Sequence, residues 1–249
     1  MDSIKFDAVW VIHCVEDEDR LKNIEYQKEN NQWLKDNLQI NLTCRFSHSD
    51  LFANSLLLSN SSRYVSNGSE VNLCREFYKI IKTSYLQGFN HICIFEDDFS
   101  LIKESIFMEY LKNIPEDFDI IQLSYLFEYC PHQIEDILLN ENKFFIKLDF
   151  GCWSNCGLCL SKKGMKYFID AIDKEFLAAD IPIFESQNGN PYYGKTNTGK
   201  GLNHYIPNIP LIYLDGKDSR VQTENKEKLY KHYKLMDKKH YNIYNNSTN

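Results

Sequence analysis

The chain has 249 residues, a formal net charge of -7, and 43% apolar and 25% charged side chains. A chain of this length hides roughly 70% of its unfolded surface, and this composition excludes wholesale disorder. The acidic balance excludes a general nucleic-acid coat, which is built from many Lys and Arg contacts to phosphate.

Ala8-Val9-Trp10-Val11-Ile12 is a continuous apolar run, the pattern of a strand buried on both faces. It is too short for a signal peptide and soon meets the acidic cluster Glu16-Asp17-Glu18-Asp19. No stretch of about 18 apolar residues exists, so no transmembrane segment is expected. These features predict a cytoplasmic protein, peripheral at most to the inner face of a membrane. The eight cysteines are then reduced, mostly buried thiols. The Asn- and Lys-rich composition fits an AT-rich bacterial or viral genome.

A polar helical segment follows, with Leu21, Ile24, Leu34 and Leu38 as its buried positions. Ile40, Leu42, Cys44 and Phe46 alternate with polar residues, which predicts a half-buried strand. Residues 47–69 are rich in Ser and Asn and read as a loop with a short helical turn. Val71, Cys74, Phe77, Tyr78 and Ile81 keep helical spacing, and Gly88 ends that helix. His91 to Phe95 forms a second buried strand, closed by Glu96-Asp97-Asp98. A helix over about 104–113, strands over 118–123 and 155–160, and a helix capped by Ser161 come next. A strand over 209–214 and a terminal helical extension over 224–249 complete the series. Strands alternating with helices predict one α/β domain with a mostly parallel sheet. Active sites on such sheets lie at the carboxyl ends of strands.

The acidic triplet is the strongest chemical signal. At roughly 4 Å and an effective dielectric of about 20, each like-charge pair costs on the order of 4 kcal/mol. A hard divalent cation removes that cost; Mg2+ and Mn2+ take one or two carboxylates plus substrate phosphates. Other signals are weaker. Cys152, Cys156 and Cys159 lack the second ligand pair that structural zinc needs, and the last two fall on opposite faces of a strand. Residues 194–201 depart from a phosphate loop because no apolar strand leads into them.

Several stretches carry a family likeness. They are Val9 to His13 with Arg20, Ser69 to Cys74, Ile94 to Asp98, Ser154 to Gly164, and Ala179-Asp180. Their order resembles the family 25 glycosyltransferases, the lipooligosaccharide and collagen galactosyltransferase-like group. That family shows V-I-N-L with a following Arg, G-E-I-G-C, L-E-D-D, G-T-x-A-Y-L-I-S-R-K-G, and an Asp shortly after. The likeness spans about residues 8–222. His13 replaces the usual Asn, Ser69 the usual Gly, and Arg75-Glu76 stand where small or Ser-His residues are common.

The resemblance implies a GT-A, Rossmann-like fold. It also implies transfer of a sugar from a nucleotide-sugar donor, UDP-linked, to a glycan or glycolipid acceptor, with inversion. Asp98 would ligate Mn2+ or Mg2+. Glu96 would serve the metal or the ribose hydroxyls, and Asp97 the donor sugar or a metal-bound water. The backbone at Val11, Ile12 and His13 would hold the base, and Arg20 would pair with phosphate. Asp180 would take the acceptor proton, and His204 would complete the metal. In the basic stretch 217–239, Arg220 or Lys217 would bind the diphosphate. Two alternatives stand beside this reading: a catalytically silent GT-A-like glycan-binding protein, and a metal-dependent phosphohydrolase.

Overall fold

A computed structural model describes residues 5–44, 68–124, 143–148, 156–174 and 201–214. The apolar run opening the chain becomes β1 (Ala8–Cys14), which extends past the run to take in His13 and Cys14. The polar helical stretch divides into α1 (Glu18–Glu29) and α2 (Gln32–Asn37). Asn31 makes the break, because its side-chain oxygen accepts from Leu34 N at 2.9 Å and caps the second helix. β2 (Leu38–Thr43) and α3 (Gly68–Leu86) follow. α3 ends before Gly88, whose φ of 82° suits a residue without Cβ.

Next come β3 (His91–Glu96), β4 (Phe99–Leu101), α4 (Glu104–Lys112) and β5 (Ile120–Gln122). Then come β6 (Phe145–Leu148), β7 (Leu158–Ser161), α5 (Lys162–Lys174), β8 (His204–Pro207) and β9 (Ile212–Leu214). Ser161 caps α5 as its position predicts: its hydroxyl accepts from Gly164 N at 3.1 Å.

Seven strands form one mixed sheet in the order β2-β1-β3-β7-β5-β8-β6. β7 is antiparallel to both neighbours and β6 to β8; the other five strands share one direction. β4 and β9 pair separately. The expected α/β class and predominance of one strand direction are therefore present.

Two apolar layers cover the sheet. Val9, Val11, Cys93, Phe95 and Ile121 pack with Ile24, Leu34, Phe107 and Leu111 of α1, α2 and α4. Ala8, Ile12, Ile92, Ile94 and Ile120 pack with Phe77, Ile81, Met165 and Phe168 of α3 and α5. Alternate residues of each strand point to opposite faces, so continuous apolar runs serve both layers.

Two features depart from the sequence expectation. Ile40 and Leu42 are exposed, Leu42 by 61%, because β2 is the edge strand and only Leu38 reaches the core. Cys156 and Cys159 share one apolar layer instead of opposite faces, because Cys156 precedes the strand in a turn with Gly157 at φ 74°. The predicted helix over 224–249 lies outside the described residues.

Gly164 sets how close α5 comes to the sheet. A Cβ there would meet the Asp119 carbonyl oxygen at 2.1 Å, a backbone atom that cannot swing away. Gly164→Ala is expected to lower unfolding free energy by about 1–3 kcal/mol, the usual cost of overpacking. Urea denaturation checks this; an unchanged midpoint contradicts the close approach.

Candidate functional site

Chain order reverses at β1: the next strand lies on one side of it and the third on the other. Open α/β sheets bind their ligands outside the carboxyl ends of the strands at such a switch point, here those of β1 and β3. β1 ends there in His13-Cys14, and β3 ends in Glu96. The register pairs Ile12 with Glu96, so His13 and Asp97 emerge side by side. Asp97-Asp98 form a two-residue turn between β3 and β4. Phe95 and Phe99 pack across that turn with ring centroids 4.8 Å apart.

Asp97 points inward and is only 5% exposed. Its Oδ2 accepts from His13 Nδ1 at 3.0 Å and from Cys14 N at 3.3 Å. A carboxylate only accepts, so the His13 proton on this contact sits on Nδ1. Asp97 Oδ1 accepts from Arg20 Nη1, and Arg20 Nη2 lies 3.8 Å from Asp98 Oδ2. Burial opposes the guanidinium charge, but Asp97 and Asp98 outweigh it and hold Arg20 above its ordinary pKa. Asn23 Nδ2 donates to the carbonyls of Asp97 at 3.3 Å and Phe99 at 2.8 Å. Gln27 Oε1 accepts from Leu101 N at 3.1 Å. Arg20, Asn23 and Gln27 fall on one stripe of α1 and grip the chain from Asp97 to Leu101.

Glu96 and Asp98 flank the pinned residue and are partly exposed. Cys156 lies buried beneath the triplet; burial first, and then Asp98 and Glu96, push its thiol well above the ordinary range. Cys14, hydrogen-bonded to Glu16 at 2.9 Å, is pushed up to about 11 by burial and then by that contact. Both cysteines therefore remain thiols and are poor metal ligands.

The structure thus brings His13, Arg20, Glu96, Asp97 and Asp98 into one corner. Val11 and Ile12 are adjacent in sequence but not available to a ligand. Their side chains are buried and both residues lie in ladders with β2 and β3, so their backbone groups serve the sheet. Arg20 is turned onto carboxylates instead of standing ready for phosphate. Asp97, expected to meet the donor sugar or a metal-bound water, is turned inward.

His204 is also displaced from its expected role. It shares a register row with Ile120, Leu160 and Ile92, and Ile92 lies four residues before Glu96 on a strand three places away. Strand spacing then puts His204 roughly 20 Å from the triplet, too far to share its cation. Asp180 and Arg220 lie outside the described residues.

Sequence reading missed Asn23 and Cys156. The spacing of Arg20, Asn23 and Gln27 at i, i+3 and i+7 beside Ile24 was the available signal for Asn23. No signal pointed Cys156 toward the triplet, because that proximity depends on β7 pairing with β3.

Among the described residues, no group of three or more His, Cys, Asp or Glu side chains is arranged to hold a metal ion. A cation here would be held by Asp98 and Glu96 with the remaining ligands from water or a substrate phosphate. That is the ordinary arrangement for Mg2+ and Mn2+ at phosphate-handling sites. Three carboxylates against one guanidinium leave two formal negative charges at this corner. Among the described residues no helix is long and apolar enough to cross a membrane. No family model matches the chain, and no curated protein matches it significantly.

Proposed function

We propose that the chain is a metal-dependent glycosyltransferase of family 25 type, with a GT-A organisation, that uses a UDP-linked sugar to extend a glycan or glycolipid. The observation that carries this reading is the carboxylate turn at the carboxyl end of β3, at the switch point beside β1. The antiparallel strand β7 beside β3, within a sheet otherwise mostly of one direction, is compatible with that organisation.

A bound Mn2+ or Mg2+ supplies Lewis acidity, worth several kcal/mol, to the departing diphosphate. The chain's own residues do the rest. Asp98 and Glu96 hold the cation-facing edge, and Glu96 also reaches the ribose hydroxyls. Arg20 balances part of the charge of the acidic turn. Asp180 takes the proton of the acceptor hydroxyl as it attacks, because that hydroxyl is far too weak an acid to lose it unaided. Arg220 contributes to diphosphate binding.

The test is release of UDP from a panel of UDP-sugars, with Mn2+ and with EDTA. Metal-dependent UDP release, with transfer when acceptor is present, supports the reading. Donor binding without turnover supports a silent glycan-binding protein. Hydrolysis of simple phosphate esters supports a phosphohydrolase.

For the base, Asp180→Asn is expected to lower turnover by about 10²–10⁴-fold while UDP affinity stays within about threefold. Equal loss of both assigns Asp180 to binding or folding instead.

A further inference from the structure

We infer that Cys93 and Cys159 are a redox-responsive pair, which a low-molecular-weight disulfide of the glutathione class converts to a disulfide bond tying β3 to β7. This inference stands apart from the proposed reaction and needs no ligand at the acidic turn.

Both residues are fully buried, and both are free thiols. The antiparallel register of β3 and β7 sets them directly opposite each other. They share the apolar layer beneath α1, α2 and α4. The Cys159 thiol donates to Cys93 Sγ at 3.4 Å. Residues opposite one another in an antiparallel ladder have Cα atoms about 4.5 or 5.5 Å apart, and a disulfide accepts about 4.4–6.8 Å. A sulfur–sulfur bond of about 2.0 Å then requires side-chain rotation alone. The placement depends on register, since a slip of one residue would turn one sulfur to the other face of the sheet. The other described cysteines are placed differently. Cys156 lies in the turn before β7, Cys74 belongs to the opposite layer, Cys14 ends β1, and Cys44 follows β2.

The exchange balances in two steps. One cysteine thiolate attacks the oxidant's S–S bond, forming a mixed disulfide and releasing one glutathione thiolate. The second cysteine thiolate attacks the protein sulfur of that mixed disulfide, forming the Cys93–Cys159 bond and releasing the second glutathione. The two protons lost by the cysteines go to the two departing thiolates, and the oxidant gains two electrons. Burial pushes the Cys93 thiol well above its ordinary range. The closed sheet therefore reacts slowly, and the bond forms as the chain folds or the sheet opens. Once formed, the bond is shielded from reductants by the same burial. In a reducing compartment the pair stays as two thiols.

The two cysteines are 66 residues apart in the chain, and closing a loop of that length restricts the unfolded state. The test refolds the full wild-type chain from urea at set ratios of oxidised to reduced glutathione. Remaining thiols are then blocked by alkylation and the peptides mapped by mass. The expected result is a linked Cys93–Cys159 peptide as the main disulfide, lost on treatment with dithiothreitol. The linked form should melt roughly 5–15 °C above the reduced one. Full alkylation of both cysteines at every ratio overturns the inference. So does a linked peptide no more abundant than other cysteine pairings. A linked form that melts at or below the reduced one also overturns it, because that bond is made by distorting the sheet. If the chain does not refold, prolonged incubation of the folded chain in the same buffers carries the test, with the same outcomes.

Discussion

Asp98→Ala is expected to lower sugar transfer by more than about 10³-fold and to abolish Mn2+-dependent UDP binding. A loss of about 4 kcal/mol of transition-state stabilisation corresponds to a thousandfold in rate, and a cation at a departing diphosphate is worth about that much. The fold should survive the change. Asp98 sits in a turn, is partly exposed, and belongs to neither apolar layer. Its ion-pair partner Arg20 keeps Asp97. Thermal melting should therefore move little while UDP titration with Mn2+ goes flat. Near-wild-type transfer by this variant would remove the metal from Asp98.

The second large effect concerns acid stability and His204. This imidazole is fully buried in β8, and among the described residues neither ring nitrogen has a hydrogen-bond partner. Burial alone lowers its pKa from 6.5 to about 3. The unfolded chain therefore takes up a proton near pH 6.5, and the folded chain only near pH 3. Between those values the unfolded state binds more protons, so stability rises with pH and is lost as pH falls through that window. The slope is roughly 1.4 kcal/mol per pH unit for one such group. By pH 4.5 this site alone should cost the wild type about 2–3 kcal/mol relative to pH 7. His204→Leu should remove that share and leave stability at pH 7 equal or higher, since an unpaired buried polar group is itself unfavourable. Urea denaturation of both proteins at pH 7 and 4.5 measures the difference. Equal acid loss in the two would contradict a neutral, unpartnered imidazole.

The legible parts of this chain are those where local pattern and tertiary role agree. The run through Phe95 reads as a buried strand because it is one, and the triplet after it reads as chemistry because three charges follow an apolar segment. Ser161 reads as a cap, and Gly88 as a stop, for reasons confined to a few residues. β4, β6 and β8 did not announce themselves. Each is three or four residues long, and Lys147 and Tyr205 interrupt the apolar pattern. The sequence offers His204 as a metal ligand and not as a core residue, because His-Tyr-Ile-Pro carries no strand signature. The contact between His13 and Asp97 was not legible either. It joins residues 84 apart through one strand register, which composition and spacing do not encode. Sequence proximity also misled at Val11 and Ile12, where membership of the central strand consumes the backbone groups a ligand would need.

The most direct measurement is manganese anomalous scattering from crystals soaked with Mn2+ and UDP. A metal peak within roughly 2–2.5 Å of an Asp98 carboxylate oxygen, with the diphosphate on its far side and Asp97 still turned toward His13 and Arg20, is the predicted result. Bound UDP with no metal peak against Asp98, or a peak only elsewhere on the chain, would contradict it.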